Sequence, residues 1–211
     1  MLPFSVEDFF GVFSDYNESV WPMQWVLSGV AVALVIVSLR SSSIRDRIVC
    51  AALGLLWAWM AVVYHLVWFT TINPAAYPFA AAFLLQAAAF AWWSIKGLPL
   101  GLSYRSDART VCGIGMLAYA LIGYPLLNAA LGHDFPSSPS FGVPCPTTIF
   151  TLGLLALARA RRVLLLCIVP VLWSLIGGSA AFLLGVWQDL GLIVSGVIVC
   201  ALSVRRAFDA S

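Results

Sequence analysis

Seven apolar runs, at roughly 22–39, 48–69, 75–95, 111–131, 146–158, 163–184 and 189–204, constrain this chain before any motif is read. Hydrophobic residues make up 62% of it and charged residues 9%, whereas soluble domains carry about 25% charged. A water-soluble core cannot enclose that much apolar surface, so the runs predict spanning α-helices. A span needs about 20 apolar residues. Four runs meet that length or nearly so, the first falls slightly short, and the fifth and seventh are shorter. The period-two alternation of a membrane β-barrel is missing. No linker separates two units, so residues 1-211 are expected to form a single transmembrane domain.

Charge sorts with the connections. All eleven Lys and Arg lie at 40–47, 96–109, 159–162 and 205–211, which are every second connection and the C-terminus. Asp46, Asp107 and Asp209 accompany them. The other connections hold Glu7, Asp8, Asp15, Glu18, Asp134 and Asp189 and no basic residue. Under the positive-inside rule this gives a seven-helix, all-α integral membrane protein with its N-terminus out and its C-terminus in. The expected location is the cell inner membrane, multi-pass, with the lipid bilayer as partner. The basic residues are short boundary anchors rather than a patch, so nucleic acid is not an expected partner.

Residues 1–21 lack the basic start of a cleavable signal and are acidic and aromatic. Val6, Phe9, Phe10 and Phe13 share a helical face, and Ser5 with Asp8 resembles a capping box. They predict an amphipathic extracytoplasmic helix, placed as a lid over the outer mouth of the bundle. Trp21, Trp25, Trp68 and Trp187 outside, and Trp92, Trp93 and Tyr104 inside, read as interfacial belts. Gly177 to Ala181 form a small-residue patch for close helix approach.

The fifth run is the short or broken one. Prolines at 144 and 146 push Val143 and Cys145 toward extended backbone, so Pro146 is expected to open the helix with Cys145 as its N-cap. Thirteen residues reach roughly 20 Å, against a hydrocarbon thickness of about 30 Å. The helix should therefore start below the outer boundary, with the 132–145 loop dipping in to meet it.

That helix N-terminus offers free N–H groups and the positive end of a dipole, which bind anions or activate a thiol. Cys145 and His65 are the catalytic candidates, since His65 lies about 6 Å inside its span. Cys145, Tyr64, Asp134, Thr147 and Thr148 are candidate partners for His65. His65, His133, Asp134 and Cys145 could together hold a metal ion such as zinc or copper, although no local ligand spacing marks such a site. No other cofactor is predicted. Cys50, Cys112, Cys167 and Cys200 sit near the inner ends of four helices, and no outer disulfide is expected. The only lysine, Lys96, is at the inner boundary, which excludes a retinal Schiff base. Paired outer cysteines, Walker, dinucleotide and His-Glu-x-x-His motifs are also missing.

Several short stretches resemble a family of bacterial multi-pass membrane proteins known as a domain of unknown function. They are Tyr16-Asn17 with Trp21-Pro22, Tyr64-His65, Asn73-Pro-Ala-Ala-Tyr77, Tyr124-Pro125, Gly132-His133, Phe141-Gly142, Pro144-Cys-Pro-Thr-Thr148, Trp173-Ser174 and Gly185. The resemblance covers most of the chain and carries no assigned activity. Nearly all of these residues fall in the outer half of the expected bundle. The expected site is a cavity open to the extracytoplasmic side, lined by His65, Asn73, Tyr77, Tyr124, His133, Cys145, Thr147, Thr148, Trp173 and Ser174. Binding or transport of a small solute or ion is the first function expected of it. A membrane-embedded enzyme using a Cys145 thiolate with His65 is the alternative, and a scaffold or assembly subunit is the third.

Overall fold

A computed structural model describes residues 3–42 and 44–208, with side chains through Val204. The expected basic C-terminal segment at 205–211 therefore lies largely outside the described side chains. Among the described residues the chain is helical and has no strand, only two isolated bridges, Leu102 with Ala158 and Phe141 with Val143.

Helix α1 (Val6–Ser19) is followed by α2 (Met23–Ser38), and the two are bent by 85° at the break between them. The capping box forms as expected: Ser5 accepts from the Asp8 N–H at 3.1 Å and donates its own N–H to Asp8 at 2.9 Å. These Ser5 bonds hold the Asp8 carboxyl below its ordinary value. Helix α3 begins at Arg45–Trp59, winds into a π-helix over Met60–Trp68 and ends in a 3₁₀ turn at Phe69–Thr71. Helix α4 covers Ala76–Lys96 and stops at Gly97, whose φ of 62° closes the helix in a left-handed conformation. Helix α5 runs from Ala108–Ala118 through a π-helical Tyr119–Gly123 to Tyr124–Ala130. Helices α6 (Pro144–Leu157), α7 (Leu164–Leu183) and α8 (Leu190–Phe208) complete the chain.

Among the described residues five helical spans are long and apolar enough to cross a membrane: Arg45–Thr71, Ala76–Lys96, Ala108–Ala130, Arg161–Leu183 and Trp187–Val204. The bent pair α1 and α2 passes the same criteria only when taken together, and α6 is a shorter apolar helix. The start of α6 corrects the sequence expectation. Val143 is the extended N-cap and Pro144 opens the helix, which places Cys145 inside the first turn. Both prolines fit there because the first N–H groups of a helix have no intrahelical acceptor to lose.

Helix α6 is the centre of the bundle. Every residue from Pro144 to Leu157 is buried except Cys145, which is half-buried. A helix that is apolar on all faces has no solvent side to present and is stable only when enclosed. Gly113 of α5 and Gly153 of α6 allow the close approach: a Cβ on Gly113 would meet the Gly153 carbonyl at 2.9 Å. The 132–143 loop dips into the bundle, with Pro139, Phe141, Gly142 and Val143 all buried.

At one end the basic connections knit together. The Asp46 carboxylate accepts from the Leu100 and Gly101 N–H groups, and Arg47 and Ser94 exchange side-chain-to-carbonyl bonds. Arg159 pairs with Asp107 at 3.0 Å, Ser38 hydrogen-bonds Tyr104, and Arg109 donates to the Leu202 carbonyl. Helix α1 lies across the other end. Its Phe9, Val12, Phe13 and Tyr16 pack with Tyr64, Phe69, Val143, Leu184 and Val186.

Candidate functional site

The end covered by α1 holds two cavities and a buried carboxylate between them. The larger cavity, about 770 Å³, lies among the α1–α2 elbow, the outer part of α5 and the 132–143 loop. Tyr124, Asn128, Gln24 and Pro146 line its depth, and Trp21, Trp25, Glu18 and Asp134 stand exposed at its mouth. The smaller, about 140 Å³, is walled by Phe9, Phe13, Tyr64, Phe69, Phe79 and Trp173, with Cys145 on its surface. It is flanked by Ile176 and Leu183, which are exposed on α7.

A hub built on Asn17 holds the larger cavity open. The Asn17 amide donates to the carbonyls of Pro136 and Ser138, and its oxygen accepts from the Ser140 hydroxyl at 2.6 Å. The Gln24 amide donates to the Asn17 carbonyl at 2.6 Å, and the Asn128 amide donates to the Pro139 carbonyl at 2.9 Å. Two helices and the loop are thereby tied at their polar groups, which buried backbone carbonyls require. Tyr16 adds a further tie, accepting from the Trp59 indole N–H at 2.9 Å.

Asp189 joins the two cavities. Gly185, at φ 73°, ends α7, and a 3₁₀ turn over Trp187–Asp189 leads into α8. That turn places Asp189 inside the protein, only 1% exposed. The Tyr124 hydroxyl donates to it at 2.6 Å from the larger cavity, and the Cys145 thiol lies beside it from the smaller one. No Lys, Arg or His pairs with Asp189 among the described residues. The sequence places this aspartate only among the acidic residues of the outer connections. Its signal was an acidic residue opening an apolar run, but only the fold shows which tyrosine and which thiol meet it.

The ten expected cavity residues divide. Tyr124 and His133 line the larger cavity, and Asn73, Cys145 and Trp173 the smaller. Tyr77 is 62% exposed and lines neither. Thr147 and Thr148 are packed in α6, where the Thr147 hydroxyl oxygen accepts from the Gly142 N–H at 3.0 Å. Ser174 donates to the Val171 carbonyl, and a Cβ on Gly196 would fall on it, so it belongs to the α7–α8 contact.

His65 is fully buried but lines neither cavity. Its ring meets Phe83, Trp173, Phe79 and Phe69 edge-on or tilted, at 4.7 to 6.0 Å between centroids. Neither ring nitrogen has a hydrogen-bond partner, so the expected pairing with Cys145 is not formed. Cys145 instead has Asp189 and the Trp173 indole beside it. Among the described residues no three His, Cys, Asp or Glu converge on a point that could hold a metal ion. His65, His133, Asp134 and Cys145 are thus not brought together as ligands. His133 lies tilted against Phe10 with ring centroids 4.6 Å apart and approaches the Gln188 amide at 3.4 Å.

The chain belongs to a family of unknown function, DUF6064, whose model matches residues 6–211. No match was found among curated proteins or among solved structures.

Proposed function

We propose that this member of the DUF6064 family is a multi-pass protein of the cytoplasmic membrane that binds a small solute in the larger cavity from the extracytoplasmic side. The chain would cross seven times, with α2 and α6 as its shorter crossings and the basic connections inside. The sorting of every Lys and Arg into alternate connections supports that orientation. The observation that carries the binding proposal is the cavity itself. Its volume of about 770 Å³ is typical of small-molecule sites, and buried polar side chains converge in an otherwise apolar wall.

Binding is better supported than passage. Below the two cavities α6 is buried on every face through Leu157, and the lining of neither cavity passes Pro146 on that helix. Transport would need α6 or its neighbours to move. The enzyme alternative loses His65 as its base, because neither ring nitrogen has a hydrogen-bond partner, and the acidic group beside the thiol is Asp189 instead.

The test is a thermal-shift screen of the protein in lipid nanodiscs against matched aromatic solutes, including benzyl alcohol and benzylammonium. Ala129→Trp, on the exposed lining, should abolish any shift while leaving the unliganded melting temperature unchanged. A ligand shift that survives Ala129→Trp would place binding elsewhere.

A further inference from the structure

The smaller cavity opens away from water. Helix α1 roofs it on the aqueous side: Phe9 lies against Phe4 and Phe13, with ring centroids 5.9 and 4.9 Å apart, and Phe9 and Phe13 are buried. The exposed residues of its lining are Ile176, Ser179 and Leu183, at i, i+3 and i+7 on one stripe of α7. Leu172, Leu175 and Phe182 are exposed on the same helix, which is long and apolar enough to cross a membrane. A spanning helix turns such residues to lipid, so the mouth of the cavity is continuous with the hydrocarbon around the bundle.

Its shape and polarity are those of a slot. The exposed stripe from Leu183 inward to Ile176 is about 10 Å long at the rise of an α-helix. Facing α7, the lining runs from Asn73, just before α4, inward to Phe79. The deep end is walled by Phe79, Trp173 and Cys145, and no Asp, Glu, Lys, Arg or His lines the cavity. A charged group would enter without a counter-charge, at the cost of its desolvation. The volume of about 140 Å³ is close to that of apolar cavities of about 150 Å³ that take up hydrocarbon rather than water. One polar group at the outer end is uncommitted. The Asn73 Oδ1 accepts from the Ala75 N–H at 3.0 Å, and its amide hydrogens have no acceptor among the described residues.

We infer that the smaller cavity seats one acyl chain of an outer-leaflet lipid, which lies along α7 with its ester carbonyl at the Asn73 amide. An acyl chain runs along the membrane normal, as the slot does, and is polar only at its outer end, as the slot is. This inference rests on the reading of α4 and α7 as spanning helices, and does not depend on what the larger cavity binds.

The test is photo-crosslinking of the full chain in nanodiscs of phosphatidylcholine that carries a diazirine in one chain, mapped by peptide mass spectrometry. Ester-linked and ether-linked lipids are mixed in equal amounts and told apart by mass. Both should label lipid-facing positions such as Leu85 and Ile122, which are 70% and 60% exposed. Phe79, Trp173 and Cys145 should also be labelled, by the ester lipid about fivefold more than by the ether lipid, which has no carbonyl to accept a hydrogen bond. Asn73→Asp keeps the oxygen that accepts from Ala75 and removes the amide donors, so it should make the two lipids equal. Ser179→Trp, on an exposed lining residue, should abolish the cavity cross-links and leave those at Leu85 and Ile122, and Ala129→Trp in the larger cavity should change neither. Cross-links at Leu85 and Ile122 with none in the cavity would overturn the chain seat and leave the membrane reading intact. Cross-links at no position would overturn the membrane reading with it. Cavity cross-links that survive Ser179→Trp would overturn entry past α7. Equal labelling by the two lipids in the unaltered chain would overturn the placement of the ester at Asn73.

Discussion

Asp189 is the residue on which the covered end turns. A carboxylate without a cationic partner is costly in an apolar interior, and its tolerance here depends on the Tyr124 hydroxyl. Asp189→Ala would leave that hydroxyl buried without an acceptor, at a cost of about 1–3 kcal/mol. Asp189→Asn keeps an oxygen in place and should cost less. Denaturant titration in mixed micelles measures both. Equal losses for the two variants would show that the Tyr124 bond is not what the site depends on. Gly142 is the second sensitive position. Its φ of 106° suits glycine alone, and a Cβ there would lie 2.5 Å from Leu27 Cδ1 and 3.1 Å from the Tyr16 hydroxyl. Gly142→Ala should destabilise by about 1–3 kcal/mol from backbone strain alone, read in the same titration.

At the scale of elements, α1 is a cover attached mainly through one aromatic face. Phe13 packs on Tyr64 at 6.0 Å between centroids and on Phe9 at 4.9 Å. Phe13→Ala should raise hydrogen exchange across residues 6–19 while leaving α6 protected, because the central helix draws its contacts from the other helices. A matching rise in α6 would show that the two form one cooperative unit. The start of α5 responds to pH. Hydrogen bonds from Arg159 and from the Thr110 N–H hold the Asp107 carboxyl down at about 2, against an ordinary 3.8. A carboxyl depressed in the folded state contributes stability in full above its unfolded value and loses it as pH falls through the folded one. Acid unfolding should therefore show a component between about pH 4 and pH 2 that Asp107→Asn removes. The two π-helical stretches carry Tyr64 and His65 in α3 and adjoin Tyr124 in α5. The wider turn re-aims every side chain after it, and such turns are common beside functional residues.

For the whole molecule, orientation is the open physical variable, and it is directly measurable. In a background with the five cysteines replaced, Glu18→Cys should react with an impermeant thiol reagent added to intact cells. Ser106→Cys, exposed among the basic connections, should react only once the inner face is opened. The reverse pattern would invert the molecule and put both cavities on the cytoplasmic side.

Hydrophobic runs and their flanking charges are local properties of the chain, so the sequence alone determined the helical class, the five helices long and apolar enough to cross a membrane, the capped amphipathic α1 and the gathering of basic connections at one end. The short α6 was legible for the same reason: Pro144, Pro146 and the Arg159–Arg162 stretch bracket it. Tertiary structure decided what depends on neighbours distant in sequence. It made the short α6 the buried centre, divided one expected cavity into two, and enclosed His65 in aromatic rings away from Cys145. It also brought Asp189 inward to meet residues 65 and 44 positions earlier in the chain. Hydropathy records how apolar a residue's surroundings must be on average, but not which hydroxyl, thiol or ring fills them. That is set by how the helices pack side by side.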